Sequence, residues 1–190
     1  MSDVQLALDG AAFDGLVQIE ELAGQGMITL RGDLADDTIR ASVNGLFGID
    51  IPAQRGTAFA GDTGALWMSP DEMLLLCPYE GARAMADELA EKVKDAHALV
   101  VNVSDARTVF RLKGSMLREV IAKLAPADMS PGVFEPGELR RTRLAQVAAA
   151  FWMDDARNAR VVCFRSVAGY VFGLLSTSAD DASAVNHFTR

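Results

Sequence analysis

One pattern of predicted secondary structure occurs twice in this sequence. Residues 100–124 read as a strand, a tight turn, a second strand, a glycine and an amphipathic helix. Residues 17–46 read in the same order, and the Leu-Arg-Gly of 30–32 stands 82 residues before the Leu-Lys-Gly of 112–114. A chain that repeats a β-β-α unit at this distance is restricted to folds made of two similar halves.

Each half continues with further strands and a second helix. In the first half, the predicted segments are an edge strand at 57–60, a hairpin at 65–68 and 73–77, and a helix at 82–93. In the second half, they are a proline-containing connector at 125–137, one long strand at 142–153, a return strand at 160–165 and a helix capped by Ser166. Ser115 is the predicted N-cap of the preceding helix.

The order from residue 27 to residue 105 is β-α-β-β-α-β, the ferredoxin-like arrangement. The second half lacks the last strand of this order, and the N-terminal strand at 16–22 is available to fill its place. We therefore predict an α+β fold of two pseudo-repeated ferredoxin-like halves, with antiparallel sheets and helices packed on one face. The predicted division is a loose N-terminal arm at 1–15, a first half at 16–105, a second half at 106–177 and a polar tail at 178–190, packed as one compact unit.

The composition excludes several classes of partner and location. Half of the 190 residues are hydrophobic, and the formal net charge is −8. A nucleic acid or an anionic membrane requires a basic surface, so neither is an expected partner. We find no secretory signal and no apolar run long enough to span a bilayer, which predicts a cytoplasmic protein. Cys77 and Cys163 lie in separate apolar runs and are expected to be buried thiols.

The sequence offers no catalytic constellation. The glycine patterns that bind phosphate groups are missing, and the glycines near residue 24 are expected in turns. The histidines are His97 and His187, which fall in a loop and in the tail, and no spacing typical of a metal site is present. We predict no catalytic, cofactor-binding or metal-binding residue in this chain.

Arginine supplies the remaining polar signal. Basic residues alternate with apolar ones along one strand, and a second arginine cluster follows the connector; with Phe134, the predicted interface residues are Arg107, Arg111, Lys113, Arg140, Arg141 and Arg143. Three interpretations remain open: a solvated face with scattered ion pairs, a surface between subunits, or a pocket for an anionic ligand. The large aromatic residues are expected in the core or as interface anchors: Trp67, Trp152, Phe134 and Tyr170.

Three stretches resemble a known family. They are VSDARTVFRLKG at 103–114 with the P-x-x-F-x-P-G loop and TRLAQV that follow, WMSPDEMLLLCP at 67–78, and FRSVAGYVFGLL at 164–175. Together they are similar to the gamma subunit of heterotetrameric sarcosine oxidases, whose fold resembles the folate-binding part of aminomethyltransferases. Leu124-Ala125 stands where many relatives have Gly-Cys, which weakens any idea of a functional cysteine there.

The resemblance implies a role within a larger enzyme. Such a complex oxidatively demethylates sarcosine to glycine, with formaldehyde or methylene-tetrahydrofolate and hydrogen peroxide as further products. The resemblance assigns FAD, FMN, NAD, zinc and tetrahydrofolate to other subunits and implies a non-catalytic chain that supports assembly with the alpha and beta subunits. The alternative is a stand-alone folate-binding or one-carbon-transfer protein that keeps an ancestral pocket between its halves.

Overall fold

The computed structural model describes residues 5–189 and divides them into two units. The continuous unit is formed by residues 24–105. The split unit is formed by residues 5–23 together with residues 106–189. In residues 5–189, no helix has the length and apolar character needed to cross a membrane.

Eleven strands and four α-helices are present in the described part of the chain. The strands are β1 Ala12–Asp14, β2 Gln18–Glu21, β3 Gln25–Arg31, β4 Thr57–Ala60, β5 Thr63–Ser69, β6 Glu72–Pro78, β7 Leu99–Asn102, β8 Arg107–Lys113, β9 Leu139–Leu144, β10 Val147–Asp155 and β11 Asn158–Phe164. The helices are α1 Asp37–Phe47, α2 Ala82–Lys92, α3 Leu117–Ala122 and α4 Ala168–Ser178.

The continuous unit has a five-stranded antiparallel sheet with the order β4-β5-β6-β3-β7. Without the edge strand β4, this is the strand order of a ferredoxin-like fold. Alternate residues of the strands face α1 and α2, because side chains in a strand alternate between the two faces of the sheet. Ile28, Leu30 and Leu75 pack there against Ile39 and Leu89, and all five are buried.

The split unit repeats this plan in a six-stranded sheet with the order β1-β2-β8-β11-β10-β9. The strand β2 takes the place of the missing last strand by pairing antiparallel to β8, with Ile19 opposite Leu112. This is the pairing that pseudo-symmetry predicts. Residues 16–23 therefore belong to the split unit, whereas the predicted first half of 16–105 includes them.

Equivalent elements of the two units agree in length and spacing. β3 and β8 are both seven residues long and begin 82 residues apart. The pairs β6 with β11 and α2 with α4 begin 86 residues apart. The prediction of an α+β fold with two pseudo-repeated antiparallel halves is therefore confirmed.

The predicted strand at 142–153 is wrong, because two strands occupy this region. Leu144 pairs with Val147, so Ala145 and Gln146 form a two-residue turn between β9 and β10. Ala145 adopts a positive φ of 49°. Two-residue hairpin turns usually contain glycine or asparagine, and this turn contains neither, so the sequence gives no signal for it.

The predicted helix caps at Ser115 and Ser166 are also wrong. The N-cap residues of α3 and α4 are Met116 and Val167, and neither makes a side-chain cap hydrogen bond. Only α1 among the four helices has a side-chain cap in the described structure. It is Asp36, whose carboxylate accepts hydrogen bonds from the N–H groups of Thr38 at 2.8 Å and Ile39 at 3.0 Å.

The segments predicted as a loose arm and a polar tail are held in place where the structure describes them. Glu21 is 6% exposed, and its carboxylate accepts hydrogen bonds from the N–H groups of Ala7, Leu8 and Gly10 at 2.8–3.2 Å. A buried carboxylate needs hydrogen-bond donors, and these N–H groups supply them. The contact therefore holds residues 7–10 in place. Residues 1–4 and 190 of the predicted arm and tail lie outside the described residues.

Candidate subunit interface

The basic residues of β8 share one face of the six-stranded sheet. Phe110 and Leu112 face the helices, so Arg107, Arg111 and Lys113 lie on the opposite face. Arg111 forms an ion pair with Glu20 on the neighbouring strand, and about half of each side chain is exposed. The Arg107 guanidinium lies 5.2 Å from the centre of the Phe164 ring, a cation–π geometry. Local contacts therefore already hold two of these three side chains.

The second arginine cluster divides between the two faces of the sheet. Arg141 and Arg143 pair with Ala150 and Ala148, which places them on the same face as the basic residues of β8. Arg140 points to the helix side, where its guanidinium lies 4.8 Å from the centre of the Phe134 ring. Two strands separate β9 from β8, so the two groups are roughly 14 Å apart across the sheet. They do not form one compact anion pocket.

Phe134 is a core residue in the structure and does not lie on the predicted interface surface. Its side chain is fully buried and packs edge-on against Phe151, with 5.6 Å between the ring centres. The neighbouring Val133 is the apolar side chain that this connector exposes, at 49%. The connector has no helix or strand, which agrees with its prediction.

Arg118 organises the connector, and no pattern in the sequence indicates this role. Its guanidinium donates hydrogen bonds to the carbonyl oxygens of Met129 at 2.8 Å and Phe134 at 2.6 Å. It also reaches the Glu135 carboxylate at 3.3 Å, and its side chain is only 11% exposed. Arginine donates several hydrogen bonds from a planar group, so it satisfies several loop carbonyls at once. The sequence does not indicate this role, because a single arginine in a predicted helix is ordinarily interpreted as a surface residue.

Glu119 fixes part of the C-terminal segment that the sequence predicts to be a polar tail. It is 3% exposed, and its carboxylate accepts hydrogen bonds from the N–H groups of Val185 at 2.7 Å and His187 at 3.1 Å. The Lys123 ammonium lies 3.1 Å away. Burial raises the pKa of Glu119, but these hydrogen bonds and the lysine charge outweigh burial, so the pKa lies below its ordinary value. The group is therefore ionised and structural.

An open cavity of about 630 Å³ lies between α4 and the residues that directly follow α3. Apolar and small residues line most of it, including Leu124, Gly173 and Leu174. Tyr170 also lines it and is 48% exposed, so it lies outside the core, and its alternative role as an interface anchor stays a prediction. Among the described residues of the lining, Lys123 alone is charged, and its ammonium donates to the carbonyl oxygens of Ser178 and Ser183.

The groups most often used in catalysis are dispersed. Cys77 and Cys163 are buried and free, and burial raises the pKa of their thiols to about 11 and about 12. A thiol with such a pKa is a poor nucleophile at neutral pH. His97 and His187 are exposed. Residues 5–189 contain no group of three or more histidine, cysteine, aspartate or glutamate side chains placed to hold a metal ion.

Comparison with known structures first defines the fold. The structure of aminomethyltransferase T of the glycine cleavage system from Bartonella henselae matches with a TM-score of 0.61. The match covers 82% of this chain and 44% of that protein, at 11% identity. This similarity shows that the chain has a fold like that of part of an aminomethyltransferase.

The family follows from closer similarities. A family model described as the sarcosine oxidase gamma subunit family matches residues 31–184. A sarcosine oxidase subunit gamma from Corynebacterium sp. (strain P-1) is 32% identical over 141 residues, which are 73% of this chain and 68% of that protein. A chain of heterotetrameric sarcosine oxidase from Corynebacterium sp. U-96 matches with a TM-score of 0.81 at 25% identity, covering 92% of this chain and 90% of that chain. The protein belongs to the sarcosine oxidase gamma subunit family.

Proposed function

We propose that this chain is a non-catalytic gamma subunit of a heterotetrameric sarcosine oxidase and supports the assembly and stability of that complex. The observation that carries the proposal is the match to a chain of heterotetrameric sarcosine oxidase over 92% of this chain, at a TM-score of 0.81. In this role its partners are the alpha and beta subunits. The flavins, the nicotinamide nucleotide, zinc and the folate site belong to other subunits.

The basic face of the split unit is the part of the surface that we assign to a partner. Arg141, Arg143 and Lys113 are exposed, and they lie on one face of the sheet. The positive charges of these side chains complement carboxylates of a partner. Arginine favours such contacts because it makes bidentate pairs with carboxylates.

The residues around the cavity beside α4 do not fit a folate. Recognition of a pterin ring by hydrogen bonds requires a carboxylate, and none is among the described residues that line the cavity. The Lys123 ammonium, which would have to meet the glutamate tail, is already used by two carbonyl oxygens and by Glu119. The alternative of a stand-alone folate protein gains no support from this site. A titration with tetrahydrofolate, followed by calorimetry, is expected to show no heat of binding.

Affinity purification of a tagged chain from its native cell extract tests the assembly role. We expect larger flavin-containing chains to co-elute, a yellow fraction with a flavin absorption spectrum, and oxygen consumption on addition of sarcosine. A colourless chain of 20.3 kDa that elutes alone would contradict the proposal.

Charge reversal then tests the basic face. The double variant Arg141→Glu/Arg143→Glu is expected to recover much less flavoprotein than the unaltered chain. Arg83→Glu is the matched control, because Arg83 is an exposed arginine on α2 of the other unit. Equal recovery with all three proteins would exclude the basic face as a contact and leave the assembly role intact.

A further inference from the structure

We propose that the outer edge of β7 binds an extended segment of a partner subunit, which adds a strand to the five-stranded sheet. This inference rests on the proposed function, because it requires a partner chain. β7 stands at one end of the strand order β4-β5-β6-β3-β7, so only one of its two sides is paired within the described residues. An unpaired strand edge is a template for a further strand.

The register shows which backbone groups the edge offers. The N–H of Val103 donates to the carbonyl oxygen of Met27 at 2.8 Å, next to the pairs that join β7 to β3. Alternate residues of a strand direct their N–H and C=O groups to the same side, so Leu99 and Val101 also face β3. Val100 and Asn102 therefore direct theirs outward. Within residues 5–189, these outward groups have no backbone partner.

The side chains of β7 suit a partner with apolar residues. Val100 packs on the helix side of the sheet, whereas Leu99 and Val101 lie on the other face and are 55% and 40% exposed. Beside Leu99 stands Arg31, which pairs with Glu72 at 3.4 Å. An apolar pair next to a satisfied ion pair resembles the core and rim of a protein interface.

One of the other edge strands carries a feature that discourages pairing. The edge strand β9 contains three arginines, and charged residues on an edge oppose the addition of a strand. β7 reads Leu-Val-Val-Asn and has no charged side chain.

The occupant is a different chain and not a second copy of this one. Two copies of a protein with a net charge of −8 repel each other, and a strand of four residues buries far less than the ~1,000 Å² that a stable interface needs. The added strand must therefore belong to a chain that other contacts already hold. An extended segment with alternating apolar residues, from a flavoprotein subunit of the complex, meets these requirements.

Hydrogen–deuterium exchange at single-residue resolution tests the proposal on the intact complex and on the free chain. In the free chain, we expect slow exchange at Val101, whose N–H faces β3, and fast exchange at Val100 and Asn102. In the complex, the amides of Val100 and Asn102 should slow by at least about tenfold, while that of Val101 changes little. Unchanged exchange at both residues in a complex that has formed would overturn the proposal and leave the assembly role standing.

A pair of variants supplies an independent readout. Leu99→Lys/Val101→Lys places two charges on the exposed face of β7 without touching a buried side chain, and it should lower the recovery of flavoprotein about tenfold or more. Val185→Lys, at a residue that is 63% exposed in the split unit, is the control and should bind as the unaltered chain does. Full recovery with the β7 variant argues against this edge. Failure of the unaltered chain to bind any flavoprotein would reject both the assembly role and the strand addition.

Discussion

The carboxylate of Glu119 accepts a hydrogen bond from the N–H of Val185 at 2.7 Å, across 66 residues of sequence. This contact, together with the bond from His187, ties the C-terminal segment to α3. It converts a stretch of polar sequence into an ordered part of the split unit. The buried carboxylate is ionised because three donors surround it, so its protonation state is coupled to the stability of the fold.

Glu119→Gln should destabilise the protein by ~1–3 kcal/mol, the cost of weakening charge-assisted hydrogen bonds to buried donors. The pH dependence follows from the lowered pKa. The stabilisation is complete above the unfolded-state pKa of about 4.3 and is lost as the pH falls through the folded-state value. Thermal unfolding between pH 7 and pH 3 should therefore show a steeper loss for the unaltered protein than for the variant. Glu91→Gln, at an exposed glutamate, is the control; parallel pH profiles for all three proteins would contradict the role of Glu119.

Asp36→Ala should cost about 1 kcal/mol of stability, since it removes the side-chain cap of α1. Ser115→Ala and Ser166→Ala should stay within about 0.5 kcal/mol, because neither hydroxyl caps a helix in the structure. Urea unfolding of the three variants measures the difference. A loss at Ser166 as large as that at Asp36 would mean that the hydroxyl does cap α4.

Phe134→Ala should destabilise the split unit by ~3–5 kcal/mol, because it empties a fully buried site beside Phe151. Val133→Ala, at the exposed neighbour, should stay within about 0.5 kcal/mol. Trp152 reports on the split unit when Trp67 of the continuous unit is replaced by Phe, so fluorescence in urea isolates the relevant transition. A surface role for Phe134 would instead appear as unchanged stability with weakened partner binding.

Cys77 and Cys163 should not react with a thiol reagent in the native protein at pH 8. Burial raises the pKa of these thiols to about 11 and about 12, and near Cys163 the Glu21 carboxylate adds to the effect, so little thiolate is present. Colorimetric titration should count no reactive thiol before unfolding and two after it in guanidinium. Rapid reaction of either thiol in the native state would show that its site opens to solvent.

The candidate interface was only partly predictable from the sequence. Alternation along residues 107–113 correctly separates the basic face of β8 from its apolar face, because the side-chain period of a strand is two. The arginines at 140–143 read as one cluster, whereas strand pairing sends Arg140 to the opposite face from Arg141. The local sequence does not show that Phe134 is buried, because the adjacent Val133 is also apolar and is exposed. Phe134 is buried because it packs against Phe151 and because the guanidinium of Arg140 lies over its ring, and both residues belong to strands that follow the connector.

The sequence alone determined the repeated order of strands and helices, the apolar faces of α1 and α2, and the edge strand at 57–60, which the structure reproduces as β4. These features follow from hydrophobic period and turn residues, which act over a few positions. Only the tertiary structure decided that Arg118 and Glu119 hold distant segments and that β7 has one edge unpaired within the described residues. Each of these depends on hydrogen bonds between residues far apart in the chain, and local periodicity does not specify which distant partner a strand or a carboxylate will find.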